Sequence, residues 1–440
     1  MMRKCLKLLL ITCTCSTFAD DVIEEPDLLS EEWPEEFFVD GSDEMLSGSV
    51  VVINESNHSI LDFISVKLKG DLAYSDTLTL ARGNLRVLSE GAALDNSYLK
   101  VDLQFNYFNA KDDLLLEGPS DEYTIKINDL WLQYSKNSCN VKLGRQGFFW
   151  GNVEGARAID IVAPLDLTEP LLTDFSSIRR SQDIISANCF YKSFDVELFV
   201  LPKPLLDRYT ARQTLQFEQL EDAFKAEWGG RITQHAQGLD LSFYYGRFFG
   251  NTPKPIIDLN ALVPIGIYVE KFELVGAGLV YAIDRLLLEL EMSYLKELAF
   301  YSEESISNYD YLLNKQLEER LELALGLEYT TTSNHMLSSG IWFYEYENDP
   351  LISSYLDTYV LNASWSKQFL NDDLSLSALV LWQKQPELYQ LTFMAGLLMN
   401  DYWSTSVAIT FQDINNDEIG SGISNELSDW VVQLSMIYQF

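Results

Sequence analysis

The densest group of chemically capable side chains lies in residues 143–167, LGRQGFFWGNVEGARAIDIVAPLDL. Arg145 carries a planar guanidinium that can fork onto a carboxylate, and Asp160 or Asp166 stands near enough in sequence to receive it. Gln146 adds an amide and Trp150 an indole. Gly144, Gly151 and Gly155 permit sharp turns and close backbone approach. Two compatible readings follow. Charge pairs could pin a folded-in loop, or the same residues could form a constriction that touches a passing solute. Bond-making chemistry is not indicated. The three histidines, His58, His235 and His335, fall at expected turns or in the amino-terminal lead, with no Ser or Cys partner in a catalytic pattern. No G-x-x-x-x-G-K run and no metal-ligand spacing occurs, so no enzyme, cofactor or metal site is expected.

Any such loop needs a frame, and the chain supplies one with period 2. In 64–74, Ile64, Val66, Leu68, Leu72 and Tyr74 share one parity, while Ser65, Lys67, Lys69 and Asp71 share the other. Residues 99–107 set Leu99, Val101, Leu103, Phe105 and Tyr107 against Lys100, Asp102, Gln104 and Asn106. Further on, 286–294 opposes leucines to Glu289 and Glu291, and 321–329 opposes them to Glu322 and Glu328. Successive strand side chains point to opposite faces, so each block is a strand with one apolar and one polar face. The blocks run about 9–13 residues, longer than the usual 5–6 of a soluble sandwich and long enough for a tilted strand to cross a bilayer. Aromatic residues often end the apolar row, as at Tyr74, Tyr107, Tyr294 and Tyr329, where a membrane-interface girdle would fall.

Composition agrees. Of the 440 residues 47% are apolar and 13% aromatic, and the formal charge is −35. That apolar share excludes wholesale disorder. After the first dozen positions no apolar run is long enough for a membrane helix. A field this negative repels phosphates, so no nucleic-acid partner is expected. The expected fold is all-β: a transmembrane antiparallel up-and-down β-barrel, its sheet closed because an open edge cannot be left in lipid.

Connectors of two kinds alternate. Short ones lie near 91–96, 136–140, 192–194, 234–238, 283–285, 332–335, 371–373 and 399–401. Mostly long ones lie at 109–122, 149–182, 202–222, 250–270, 296–318, 347–356 and 412–426. Short turns belong at the periplasmic rim and long loops outside. This trace gives about 18 strands, with about 16 as the alternative because 78–89 and 223–232 alternate weakly. A barrel of that size leaves a watery lumen, and Lys67, Lys69, Asp71, Lys100, Asp102, Lys126, Glu289 and Glu291 are its wall candidates. The acidic loops suggest a cation preference, which the Lys-rich early strands weaken.

At the amino terminus, 1–19 reads as a signal peptide: Arg3, Lys4 and Lys7, a short apolar stretch, then Thr17-Phe18-Ala19. The alternative there is a lipoprotein signal at Cys13. Removing three positive charges from −35 leaves −38. Residues 20–58 form an acidic periplasmic arm, with a partner-docking role for Trp33, Phe37 and Phe38 as the sharper reading, and 59–440 form the barrel.

The segment formed by Gly144, Arg145, Gln146, Trp150, Gly151, Gly155, Asp160, Pro164 and Asp166 resembles G-R-Q-x-x-x-W-G followed by D-x-x-x-P-x-D. That pattern marks a poorly characterised family of proteobacterial porin-like outer-membrane proteins, similar in style to alginate-export and carbohydrate porins. Residues 128–132 and 272–294 share the likeness, although the family has an acid where Asn128 or Asp129 stands. The resemblance implies a passive channel for small solutes in the bacterial outer membrane and names no solute. The last strand, with Tyr438 and Phe440 on its apolar row, resembles the signature that such barrels present to their assembly machinery. The alternative function is a surface adhesin or glycan-binding barrel acting through its long loops.

Two cysteines remain after the signal. Cys139 and Cys189 should both lie at the periplasmic rim of neighbouring antiparallel strands. Directly opposed Cβ atoms are about 4.5–5.5 Å apart, so a bridge fits only a non-hydrogen-bonded pair. The alternative is that Cys189 is merely a small apolar side chain in lipid.

Overall fold

A computed structural model describes residues 64–75, 78–112, 123–166, 178–207, 225–251, 254–258, 263–269, 271–300, 316–346, 358–384, 387–415 and 430–440. The expected signal, at 1–19, and the arm, at 20–58, lie outside the described residues.

The first staves are β1 (Ile64–Tyr74), β2 (Leu78–Leu94), β3 (Ser97–Asp112), β4 (Tyr123–Lys136) and β5 (Cys139–Gln146). Then come β6 (Gln182–Phe190), β7 (Phe194–Leu201), β8 (Glu227–Ala236) and β9 (Leu239–Phe249). A separate hairpin, β10 (Lys254–Asp258) and β11 (Val263–Tyr268), follows. The wall resumes with β12 (Lys271–Ile283), β13 (Leu286–Phe300), β14 (Gln316–Thr330), β15 (His335–Tyr346) and β16 (Thr358–Phe369). It ends with β17 (Leu374–Gln383), β18 (Glu387–Asn400), β19 (Trp403–Asn415) and β20 (Trp430–Gln439). Neighbouring staves pair antiparallel, β9 pairs with β12 across the hairpin, and β20 pairs back onto β1. The result is a closed 18-stranded barrel.

The seam is registered from Tyr74↔Val432 to Lys67↔Gln439. Below it, Val66 N donates to Phe440 O at 2.9 Å and Phe440 N to Val66 O at 3.0 Å. The Tyr438 ring lies 5.6 Å from Phe440 and 4.7 Å from Trp403, an aromatic patch at the lower rim.

The short turns carry the residues that tight hairpins require. Asn96, Asn137, Asp284 and Asn334 all adopt positive φ, which Asn and Asp tolerate better than bulkier residues do. Burial follows parity. Leu68, Leu72, Leu132, Leu143, Phe243, Val275, Leu325 and Leu434 are exposed on the outer face, while Asp71, Asp102, Glu291, Glu322 and Ser435 are buried on the inner one.

Three sequence expectations are corrected. The sixteen-strand alternative fails, because both weakly alternating segments are staves. The eighth stave is Glu227–Ala236, four residues later than its expected start at 223. Its weak pattern comes from Gly229: a Cβ there would lie 2.7 Å from the Trp150 ring, so the inward position is empty to admit that indole. Finally, 250–270 is not a plain loop but contains the β10–β11 hairpin.

Cys139 faces Cys189 directly in the β5–β6 register, and the two are joined in a disulfide with their Cα atoms 4.0 Å apart. Phe190 N donates to Ser138 O beside them, which makes 139/189 a non-hydrogen-bonded pair. Under denaturing, non-reducing conditions neither thiol should take up an alkylating reagent, and both should after reduction. Labelling without reduction would argue against the bridge. A second expectation concerns the seam. Deleting Phe440 removes its last two hydrogen bonds, so the yield of heat-modifiable barrel should fall; a yield equal to wild type would show that closure does not depend on that residue.

Candidate functional site

After Gln146 the chain leaves the wall and turns inward. Trp150 is fully buried. Its ring packs edge-on against Phe199 of β7 at 5.0 Å, Tyr244 of β9 at 5.4 Å and Phe248 of β9 at 5.7 Å. The indole Nε1 donates to Glu197 at 3.3 Å, and Glu197 also pairs with Arg231 of β8 at 3.2 Å. Phe148, Ile159, Val162, Ile184, Leu201, Phe272, Leu274 and Leu295 complete an apolar cluster inside the barrel. Truncating a residue such as Trp150 typically costs about 3–5 kcal/mol, so the chain is held inside the lumen.

The next residues cross the bore. The backbone amides of Asn152 and Val153 both donate to Glu291 Oε1 on β13. Asn362 Nδ2, on β16, donates to Glu154 O at 2.9 Å. Gly155 has φ +72°, and a Cβ on it would meet the Asn362 amide at 2.6 Å, so only glycine suits the tip. Val153, Ala156 and Ala158 pack on Ala324 of β14, with Trp342 of β15 beside them.

An ion pair between the half-buried Arg179 and the buried Asp160 fixes the return path. Arg179 donates through Nε at 2.9 Å and Nη2 at 2.6 Å to Asp160 Oδ2, and Trp150 N donates to Oδ1 at 3.4 Å. Arg157 Nη2 ties the turn to Ala163 O at 2.9 Å. Gln182 Nε2 donates to Val162 O, Asn251 Nδ2 to Ile161 O, and Leu165 N to Asp207 Oδ1. Removing one member of a buried ion pair costs roughly 3–5 kcal/mol.

The sequence-selected residues separate on this frame. Trp150 and Asp160 sit in the folded-in segment, and Gln146 is buried at the inward end of β5. Asp166 flanks the Leu165↔Arg179 bridge, its amide donating to Ile178 O at 2.5 Å. Arg145 is the correction. It shares the outward parity of Val141 and Leu143 and pairs with Asp183 at 3.1 Å, not with Asp160 or Asp166. The guanidinium that meets Asp160 belongs to Arg179, which nothing in the spacing distinguishes from Arg180. Glu197 and Asn362 were also missed; their inward parity was the available signal.

The eight wall candidates all occupy inward positions, but not equally. Asp71 pairs with Arg82 at 2.7 Å, Asp102 with Arg86 at 2.6 Å, and Lys100 with Asp129 at 3.4 Å. A bulge opposite Asp102/Leu103 turns both Asn128 and Asp129 inward. Glu291 is covered by the loop instead of lining open space, and Glu289 stands beside Gly326 on the same wall. Three sectors result. The inner side of β6–β13 is filled by the apolar cluster and loop. That of β1–β5 carries Lys67, Lys69, Arg82, Arg86, Lys100, Lys126 and Lys142 against Asp71, Glu90, Asp102 and Asp129. Among the described residues the inner side of β16–β20 is uncharged, with Ser364, Ser377, Thr392, Thr410, Gln433 and Ser435.

No protein-family model matches the chain, and no curated protein matches it. Solved structures do. OccD3 (OpdP) of Pseudomonas aeruginosa aligns at a TM-score of 0.51 and 9% identity, over 86% of this chain and 90% of that one. OpdK of the same organism, solved with vanillate, aligns at 0.51 and 8% identity, over 86% and 98%. OccAB1 of Acinetobacter baumannii aligns at 0.50 and 7%, over 86% and 95%. The fold shared with them is the closed antiparallel β-barrel. At such identities the likeness is one of fold alone.

The ion pair yields a prediction. Asp160→Asn and Arg179→Gln should each give noisier, larger single-channel openings, whereas Arg145→Ala should leave them unchanged. Unaltered traces for both loop variants would mean that the segment does not set the bore.

Proposed function

We propose that this protein is a passive diffusion channel for small solutes in the bacterial outer membrane, surrounded by lipid and inserted by the barrel-assembly machinery. One observation carries the reading. Residues 150–163 are bonded across the lumen to β13 and β16, while the inner faces of β16–β20 and β1–β5 keep polar and cationic side chains. The loop narrows the bore and displaces the open passage towards those two sectors. A solute there meets hydroxyls and amides on one side and a ladder of cations on the other. Among the described side chains the cations outnumber the inward carboxylates on β1–β5, so the passage favours anions despite the negative charge of the whole chain. The local wall, not net charge, determines the field where low-dielectric protein surrounds a narrow path.

Purified protein in a planar bilayer should give stepwise conductance, and its reversal potential in a KCl gradient should report an anion preference. Lys67→Glu, Lys69→Glu and Lys126→Glu combined should move the preference towards cations. A sealed bilayer at any voltage would overturn the channel reading, and a liposome-swelling panel of sugars, carboxylates and phosphates would rank the solutes.

A further inference from the structure

The outer face of the barrel is charged unevenly at its long-connector end. Outward positions on β5–β13 carry Arg145, Asp183, Arg247, Lys271, Glu273 and Lys296. Their counterparts on β14–β19 carry Glu319, Glu345, Glu387 and Asp413, with Lys384 just past β17. The first sector is cationic and the second acidic, among the described residues.

Within the cationic sector the charges converge. Arg247, Glu273 and Lys296 stand directly opposite one another on β9, β12 and β13. Neighbouring strands lie about 4.8 Å apart, so Arg247 and Lys296 flank Glu273 with Cα atoms about 10 Å from each other. Lys271 is two residues above Glu273 on the same face. Arg247 pairs with Glu273, and the Lys296 ammonium lies 5.6 Å from the centre of the Tyr294 ring. Arg247, Lys271 and Lys296 are all exposed. Trp228 stands directly beside Arg247, and Tyr245, Val275 and Tyr294 lie one outward position below the row, so the charges meet the upper edge of an aromatic and apolar band. Aromatic belts lie at headgroup level in a bilayer, and long cationic side chains there reach towards the polar layer.

We propose that Arg247, Lys271 and Lys296 form a binding site for the phosphate of an outer-leaflet lipid headgroup. The inference rests on the outer-membrane reading but not on conduction. Three cations stand against two carboxylates, Glu273 and Glu319, the second held by the Tyr294 hydroxyl, which leaves a net positive charge to complement a phosphate ester, with the acyl chains running down over Phe243, Val275 and Met292. Further round the wall, beyond Glu319, the acidic residues of β15–β19 repel the same headgroup, so the lipid occupies the β9–β13 side. Guanidinium and ammonium groups near a membrane surface bind anionic headgroups with a strength that adds per cation.

The test uses the full chain in detergent, titrated with purified lipid A, with its dephosphorylated form and with inorganic phosphate, and bound lipid is read by native mass spectrometry. Lipid A should bind more tightly than the dephosphorylated form, and affinity should fall about fivefold for each cation lost in Arg247→Ala, Lys271→Ala and Lys296→Ala. Asp413→Ala on β19, seven staves from β12, should bind as wild type does. Equal affinity for both glycolipids overturns the proposal. So does full competition by inorganic phosphate at the lipid's own concentration, which would mean an ion site. Unchanged lipid binding with an altered oligomeric mass in the triple variant also overturns it, because the face would then be a contact between copies. Single-channel conductance of the triple variant should match wild type, so a failed lipid titration and a failed channel reading remain separate results.

Discussion

The pairing of β20 with β1 is the constraint on which the remaining structure depends. Backbone N–H and C=O groups facing lipid have no water to turn to, and an open edge in the hydrocarbon would leave a row of them unpaired. Closure satisfies that row and at the same time fixes the barrel's circumference. It also fixes parity all the way round. A shift of one residue at the seam would turn Asp71 and Ser435 outward into lipid and Leu72 and Leu434 inward. The seam is supported from both sides: Ser435 Oγ donates to Asp71 at 2.6 Å inside, and the Tyr438, Phe440 and Trp403 rings cluster outside.

A wall of eighteen strands encloses more space than its own side chains can fill. This chain fills part of it with its own backbone. The folded-in segment behaves as a small core of its own: Trp150 enters the space vacated at Gly229, and aromatic residues of β7 and β9 surround it. Several of the polar groups brought inside are answered, although among the described residues Glu291 Oε2 and Gln146 Nε2 are buried without a hydrogen-bond partner. Glu291 receives two backbone amides, Asp160 an arginine fork, and Asn362 reaches the carbonyl of Glu154. A loop held in this way occupies part of the lumen with a defined geometry, because releasing these buried polar groups from their partners would be costly.

Charge is partitioned by sector and by face. Inside, acids on β13 and β14 lie against or beside the loop while cations line β1–β5. Outside, the rim is cationic over β5–β13 and acidic over β14–β19. A single number for net charge describes neither surface, since exposed charges more than about 10 Å apart are largely screened from each other in salt.

Much of the architecture was legible in the residues themselves. Alternation has a period of two wherever one face meets lipid and the other water, so strand number, the polar face and the rim position of Cys139 and Cys189 follow from local pattern. The weak alternation of β8 shows where that logic fails: Gly229 reads as a flaw until the indole it admits is seen. Arg145 shows the same limit more sharply. Its proximity in sequence to Asp160 made a plausible pair, but strand parity sends it outward to Asp183, and Arg179 arrives from the far end of the loop. The sequence alone determined which residues face which side of the wall, because that depends on neighbours one and two positions away. Which charges meet across the lumen, and that the loop enters it at all, only the tertiary structure decided, because those contacts join segments dozens to hundreds of residues apart whose distance is set by the closure of the whole sheet.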